Sequence, residues 1–312
     1  MTATFNFSQY EPTEDLEASL NFISRVVGTL SLLGCIFNIV ATVCLGKSKV
    51  ILGKMVIILA VFDILNHFPW VFDSFSSTTS LITCEYIGSW LTYFGYASSL
   101  FFTTCFAHSL YQSIKIGSID CINRYFIKYI AVSTIAGITV GSLAVGLQFR
   151  EYTIYPDGHT LCTNQHIDKF NWNNLLVIFL PELINIIACM VYYILIIRML
   201  KSLDEKRHWG LLIYPLILVI CILPAVTRKF LGLIGVDKAF KNYTFKQFTR
   251  GLFGAQGLLN SFAYGLSREI YVTFKQKCCP SRMSESLVNS LSFLDISSED
   301  ETEREEKQHP IN

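Results

Sequence analysis

Long apolar runs alternate with short polar segments along most of the chain. Seven runs are each long enough to cross about 30 Å of hydrocarbon, at approximately 22–46, 52–76, 84–114, 125–148, 172–199, 209–233 and 246–270. The connections between runs are short, so we expect neighbouring helices to be antiparallel. The pattern predicts an all-α membrane protein, a seven-transmembrane helix bundle followed by a short amphipathic eighth helix.

The last run, 246–267, carries small residues among its Phe, Leu and Tyr side chains. In lipid, small residues let helix backbones approach closely, and polar side chains form hydrogen bonds across the contact. Asn260 and Tyr264 are four residues apart and therefore share one face. We interpret this run as an inner helix that carries a polar switch, although an ordinary span packed by small residues is the alternative.

Composition agrees with a membrane chain, since 52% of the 312 residues are hydrophobic and 16% are charged. The formal net charge of +1 argues against a nucleic-acid partner. Residues 1–20 are polar and acidic and lack the basic region of a signal peptide, so the first span is expected to direct insertion. No internal repeat is visible, which weakens an inverted-repeat transporter.

Basic residues near the span ends predict the orientation, because cytoplasmic loops are enriched in Lys and Arg. The richer side carries Lys47, Lys49, Lys54, Lys115, Arg124, Lys128, Arg198, Lys201, Lys206, Arg207, Arg268, Lys275, Lys277 and Arg282. We therefore expect a multi-pass plasma-membrane protein with segment 1–21 outside the cell. The glycosylation sequons at Asn6 and Asn242 then also fall outside.

The region after the last span consists of two segments of different composition. Segment 271–279 is basic and amphipathic, and it ends in Cys278 and Cys279, which are either a palmitoylation pair or two free thiols. Segment 280–312 is rich in Ser and acidic residues and is predicted to be a disordered cytoplasmic tail. Its Ser297 and Ser298 precede acidic residues and are weak candidates for phosphorylation.

Two cysteines fall on the expected outer side, where the environment is oxidising. Cys84 opens the third span, and Cys162 lies in the loop between the fourth and fifth spans. We expect them to form a disulfide that pins this loop over the mouth of the bundle. Two free thiols are the alternative.

Three polar side chains lie at mid-membrane depth, where a carboxylate is costly and faces the bundle interior or water. They are Asn38, Asp63 and Asn260, and we predict one hydrogen-bonded network joining them, with Tyr264 on the same switch. Structural stabilisation without switching is the alternative. Asn66 and His67, one turn further out, would extend the network.

The outer ends of the fifth to seventh spans hold charged residues near helix-breaking prolines. Pro224 frees a backbone carbonyl in the sixth span and predicts a hinge there. Basic residues around the last outer loop depart from the expected charge bias, which suggests an anionic or zwitterionic extracellular ligand; lysines contacting lipid phosphates are the alternative. The candidate ligand-binding residues are Glu182, Arg228, Lys229, Arg250 and His67.

The loop between the fifth and sixth spans predicts a cytoplasmic docking surface. Its basic helical extension suits an acidic or amphipathic partner, although contact with membrane lipid explains the charge equally well. The residues expected to face the partner are Lys115, Arg198, Lys201, Lys206 and Arg207.

Several motifs resemble G-protein-coupled receptors. GCIFNIV in span one and LAVFDIL in span two are similar to the Asn and Asp signatures of that family, and NSFAY at 260–264 is similar to Asn-Pro-x-x-Tyr. The stretches at 196–200, 209–219 and 257–266 resemble the cyclic-AMP-receptor-like group of slime-mould receptors and their plant relatives. The resemblance covers the seven spans but not the tail.

This resemblance implies agonist binding outside and a heterotrimeric G protein inside, with arrestin-like and kinase partners at the tail. It does not establish cyclic AMP as the ligand. The third span ends in AHSLYQSIK without an Asp/Glu-Arg-Tyr triplet, and CILP at 221–224 lacks the Trp of many rhodopsin-like receptors. The ionic lock and aromatic toggle of those receptors therefore do not carry over.

Other classes fit less well. A retinal pump needs a lysine within the last span, but there is none from 247 to 274. No pair of histidines has metal-ligand spacing within a span, so we expect no metal, no cofactor and no enzymatic activity. The alternative function is a seven-span transporter of a small solute, which would show repeats and helices broken near the midplane.

Overall fold

A computed structural model describes residues 14–75, 82–116, 120–147, 150–154, 160–164, 175–203, 213–233 and 243–265. Helical segments lie at all seven positions where the sequence predicts a span. The α-helices are α1 (Glu14–Cys44), α2 (Ile51–Phe75), α3 (Ser89–Ile116), α4 (Asp120–Gly146), α5 (Leu180–Leu203), α6 (Ile213–Leu233), α7 (Tyr243–Gly254) and α8 (Gln256–Gly265).

Shorter elements join or extend these helices. A 3₁₀ turn, Lys47–Lys49, follows α1, and Gly46 before it adopts a left-handed φ of 74° that suits a helix C-terminus. The π-helical segments Ile82–Gly88 and Leu175–Phe179 directly precede α3 and α5.

Within the described residues, four stretches are long and apolar enough to cross a membrane, as expected of an α-helical membrane protein. They are Phe22–Cys44, Ile51–Pro69, Asn123–Gly146 and Leu175–Met199. Their outward faces carry large exposed apolar side chains, among them Leu33, Ile127 and Ile135. Because soluble proteins rarely expose extensive apolar surface, these faces suit a lipid environment.

Helix α3 is the buried centre of the bundle. It contacts α2, α4, α5 and α6, and most of its described side chains are buried, many of them Ser, Thr or Tyr. Close approach to α2 requires Gly95, since a Cβ there would lie 2.3 Å from the backbone nitrogen of Asn66. Some of the polar side chains of α3 bond within the helix, as Thr103 does, whereas Tyr96 and Ser99 bond side chains of neighbouring helices.

Helix α1 closes the ring by contacting α2 on one side and both α7 and α8 on the other. A Cβ on Gly257 would lie 2.7 Å from Cys35 Sγ, and one on Gly34 would lie 2.5 Å from Ser261 Oγ. The prediction that small residues in the last run allow close helix packing is confirmed at Gly257 and Ser261.

The last run is not one continuous helix as expected, because α7 ends at Gly254 and α8 begins at Gln256. Helix α7 begins three residues before the predicted seventh span, and α8 lies wholly within it, so α8 is distinct from the amphipathic eighth helix expected at 271–279. At the break, the Ser31 hydroxyl from α1 lies between the Gly254 carbonyl and the Leu258 amide and bonds both.

The expectation of an all-α chain missed a short hairpin between α4 and α5. Strands β1 (Arg150–Ile154) and β2 (Thr160–Asn164) pair antiparallel, with Tyr152 opposite Cys162. Strand β1 contacts the π-helical segment Ile82–Gly88, which contains Cys84. The hairpin thus lies beside the start of α3, and the disulfide itself stays a prediction because both thiols lie outside the described side chains.

Candidate functional site

A cluster of four buried polar side chains, the inner polar cluster, joins α2, α3 and α8. Asp63 is 1% exposed and accepts hydrogen bonds from Ser99 Oγ to Oδ1 at 2.5 Å and from Asn260 Nδ2 to Oδ2 at 3.1 Å. Gln256 Nε2 donates to Ser99 Oγ over a longer 3.4 Å. Each carboxylate oxygen of Asp63 therefore has a partner on another helix.

The local sequence explains this arrangement. Gln256 and Asn260 are four residues apart on α8 and share one face, from which Gln256 bonds Ser99 on α3 and Asn260 bonds Asp63 on α2. Asp63 lies in the middle of α2, where an intramembrane carboxylate must find polar partners within the bundle. The cluster couples three helices through one side chain, so a movement of α8 would disturb Asp63 directly.

Asn38 does not join this cluster, contrary to expectation. Its side chain is buried, and its Oδ1 has no hydrogen-bond partner among the described residues. Its backbone carbonyl accepts instead from Thr42 Oγ1 at 2.6 Å, within α1. The two residues were expected at similar depth, but the rotation of α1 about its own axis decides which neighbours the Asn38 side chain meets.

His67 and Asn66 lie one turn beyond Asp63 on α2, and both are buried. His67 Nδ1 lies 2.7 Å from the Asp63 backbone carbonyl oxygen and donates a hydrogen bond to it. His67 Nε2 and Asn66 Oδ1 have no hydrogen-bond partner in the described part of the chain. His67 is thus connected to the turn that carries Asp63 but not to its carboxylate.

A second buried group, the outer ion-pair cluster, joins α3, α5 and α6. Lys229 Nζ donates to Glu182 Oε1 at 2.7 Å and to Oε2 at 2.8 Å, and the Tyr96 hydroxyl also donates to Oε1. Glu182 is 2% exposed, whereas Lys229 is 22% exposed. The carboxylate is fully engaged, and only the lysine reaches the bundle surface.

Two further predicted ligand-binding residues and the predicted hinge residue lie on α6 and α7. Arg228 precedes Lys229 on α6 and is buried, while Arg250 on α7 is partly buried. Pro224 lies within α6, one turn before Arg228. On α5, Asn185 Nδ2 donates to the Pro181 carbonyl at 2.8 Å. Among the predicted ligand-binding residues, Glu182 and Lys229 are in direct contact.

Helix α3 links the two clusters, and sequence reasoning missed its role. Tyr96 bonds Glu182, and Ser99, one turn later, bonds Asp63. The Tyr96 ring also packs against Phe253 on α7, with ring centroids 5.1 Å apart. The three-residue spacing of Tyr96 and Ser99 was visible in the sequence, but Ser and Tyr are too common in this span to stand out.

The end of the bundle predicted to be cytoplasmic contains a chain of aromatic contacts across α3, α4 and α5. His108 Nδ1 and the Tyr129 hydroxyl share a hydrogen bond of 2.7 Å, and His108 also contacts the Tyr192 ring. Lys115 lies over the Tyr111 ring at 5.8 Å, and Arg198 is exposed. Of the predicted partner-facing residues, Lys115 and Arg198 are therefore placed at this end.

Several predicted residues lie outside the described ones. They are Asn6, Lys206, Arg207, Asn242, Cys278 and Cys279, the segments 271–279 and 280–312, and the side chains of Lys201 and Tyr264. Within the described ranges, no group of three or more His, Cys, Asp or Glu side chains is placed to hold a metal ion.

A scan of protein-family models finds no match to this chain, and a search of curated proteins finds none either. The resemblance to G-protein-coupled receptors therefore stays a prediction from the motifs. The two buried clusters and the helices that they join are the features of the described chain that bear on its function.

Proposed function

We infer that the chain is a seven-span receptor that transmits binding of a small extracellular ligand to a heterotrimeric G protein. One observation carries this proposal: the buried carboxylate of Asp63 is shared between Ser99 on α3 and Asn260 on α8. A group that is costly in the membrane interior is held by partners on two other helices, which suits an element with two arrangements.

The outer ion-pair cluster is the proposed ligand-sensitive part. An anionic ligand that attracts Lys229 weakens its contact with Glu182 and so alters the packing of α5 against α6. The change reaches α3 through Tyr96, which bonds Glu182, and then Ser99 one turn away. The ligand drives this change only to the extent that it binds one arrangement more tightly than the other.

Movement of α6 about Pro224 would then open the cytoplasmic ends of α5 and α6 for a G-protein helix. The proline removes one backbone hydrogen bond from α6, which makes bending there less costly. Exposed Arg198 and the Lys115–Tyr111 pair lie on the predicted cytoplasmic side. Plasma-membrane localisation with the N-terminus outside belongs to the same proposal.

The direct test is nucleotide exchange on a panel of purified heterotrimeric G proteins, with the chain reconstituted in lipid nanodiscs. Exchange is measured with and without phosphate, succinate, AMP and cyclic AMP, and empty nanodiscs are the control. The proposal expects one anion to accelerate exchange on at least one G protein. No acceleration over empty nanodiscs across the whole panel contradicts it.

A small-solute transporter is the second candidate, and the break between α7 and α8 favours it. Interrupted helices near polar side chains are typical of transporter binding sites, and this break directly precedes Gln256. Uptake of the same radiolabelled anions into proteoliposomes distinguishes the two functions. Uptake above that of protein-free liposomes, without nucleotide exchange, favours the transporter.

A further inference from the structure

The hydroxyl of Ser31 takes the place of a backbone hydrogen bond in another helix. In an uninterrupted helix, the Leu258 amide would donate to the Gly254 carbonyl four residues earlier. Here Ser31 Oγ donates to that carbonyl, and the Leu258 amide donates to Ser31 Oγ at 3.2 Å. The regular pattern resumes one residue later, where Leu259 donates to Ala255 at 2.8 Å.

Close contact between α1 and the last run makes this insertion feasible. Ser31 is fully buried, and a Cβ on Gly257 would lie 3.1 Å from the Ser31 carbonyl oxygen. A Cβ on Gly254 would lie 3.2 Å from Val27 on α1. Because both positions are glycine, the short serine side chain reaches the backbone of the last run.

The break lies immediately before the residues of the inner polar cluster. Gln256 is the first residue of α8 and Asn260 follows one turn later, so both take their positions from the way α8 begins. A side chain inserted into the backbone ladder is an established cause of helix kinks. Without the hydroxyl, a regular helix would pair the Leu258 amide with the Gly254 carbonyl.

We propose that Ser31 is a positioning residue whose hydroxyl holds this break open and so places Gln256 and Asn260 against Ser99 and Asp63. The geometric part of the proposal is independent of what the protein does. Its consequence for signalling rests on the proposed function, since it acts through the same inner polar cluster.

The test measures the distance across the break by double electron–electron resonance in nanodiscs. Spin labels replace Phe248 on α7 and Phe262 on α8, which are both exposed, and are attached through genetically encoded keto amino acids because the chain has ten cysteines. A reference pair at positions 124 and 138 spans the same fourteen residues within the unbroken α4. Fourteen residues of regular helix cover about 21 Å.

In the otherwise unaltered protein, the 248–262 distance is expected to differ from that of the reference pair. Ser31→Ala is expected to move the 248–262 distance onto the reference value. The matched control is Ser98→Ala, since Ser98 is equally buried and its hydroxyl has no hydrogen-bond partner among the described residues. This control should leave the distance unchanged.

Two results would overturn the proposal. One is a 248–262 distance that is the same with Ser31→Ala as without it. The other is a 248–262 distance that equals the reference distance in the protein with Ser31 intact. This second comparison does not require Ser31→Ala to fold. Neither measurement uses a ligand or a G protein, so this test and the nucleotide-exchange test can fail independently.

Discussion

Tyr96 and Ser99 lie one turn apart on α3 and donate hydrogen bonds to two different buried carboxylates. Tyr96 bonds Glu182 on α5, and Ser99 bonds Asp63 on α2. One turn of the central helix therefore connects the outer ion-pair cluster with the inner polar cluster. The proposed coupling of the two clusters depends on this short separation.

Removing the Ser99 hydroxyl should destabilise the protein, whereas removing the Ser98 hydroxyl should not. Ser99→Ala deprives Asp63 of one partner, and a hydrogen bond to a charged group contributes about 1.5–3 kcal/mol. Ser98, the preceding residue, is also buried, and its hydroxyl has no hydrogen-bond partner among the described residues. Ser98→Ala is therefore the matched control. The measurement is the thermal unfolding midpoint in nanodiscs at one fixed scan rate.

We expect a lower midpoint for Ser99→Ala and a change near zero for Ser98→Ala. Equal shifts for the two variants would mean that the loss reflects only a small cavity. In that case, the hydrogen bond to Asp63 makes no special contribution.

Removing Lys229 alone from the Glu182–Lys229 pair should destabilise the protein, because it leaves the buried Glu182 carboxylate without its cation. Lys229→Met leaves a carboxylate that is 2% exposed without its cation, and such a loss costs about 3–5 kcal/mol for a fully buried pair. Because Lys229 is 22% exposed, we expect about 3 kcal/mol, at the low end. The measurement is again the unfolding midpoint.

The second variant adds Glu182→Gln to Lys229→Met. It removes the unpaired charge but keeps an oxygen that can accept from the Tyr96 hydroxyl, so most of the lost stability should return. If the double variant is less stable than Lys229→Met alone, the ion pair is not the source of the effect.

Gly95 should not tolerate even one added methyl group. A Cβ there would lie 2.3 Å from the Asn66 nitrogen and 2.7 Å from the Leu65 carbonyl carbon, so α2 and α3 would have to separate. Overpacking a core usually costs about 1–3 kcal/mol, and here the clash is with backbone atoms. Gly95→Ala is therefore expected to lose most of its monodisperse fraction in size-exclusion chromatography.

Gly146→Ala is the control for this substitution, since a Cβ at Gly146 would have no neighbour within 4 Å. It should elute as the unsubstituted protein does. A normal profile for Gly95→Ala would show that the α2–α3 contact is looser than described.

The helix positions and one central contact were predictable from the sequence. Long apolar runs predicted the positions of α1 to α6 and of the α7–α8 pair, and the cost of a carboxylate in lipid indicated that Asp63 turns inward. Asn260 does bond Asp63, but Asn38 does not. Similar depth along two helices does not determine how each helix is rotated, and rotation decides which side chains meet.

The break at Ala255 could not be predicted from the last run alone. Its proposed cause is Ser31, which lies more than 200 positions earlier in the chain. The hairpin was missed for a different reason, because its two strands are only five residues each and fall between two long helices. The helix break and the hairpin both depend on contacts between different segments of the chain. The apolar pattern gives information about each segment only by itself.

The most direct test of the account compares signalling with surface amount for Asp63→Ala and Asn260→Ala. Each variant is tested for nucleotide exchange with the responding anion and G protein, and its surface amount is measured by antibody labelling of an N-terminal epitope. Loss of a hydrogen bond to a charged group, about 1.5–3 kcal/mol, predicts at least about a tenfold loss of exchange at a nearly unchanged surface amount. Exchange at the unsubstituted level in both variants would contradict the role of the inner polar cluster as the switch.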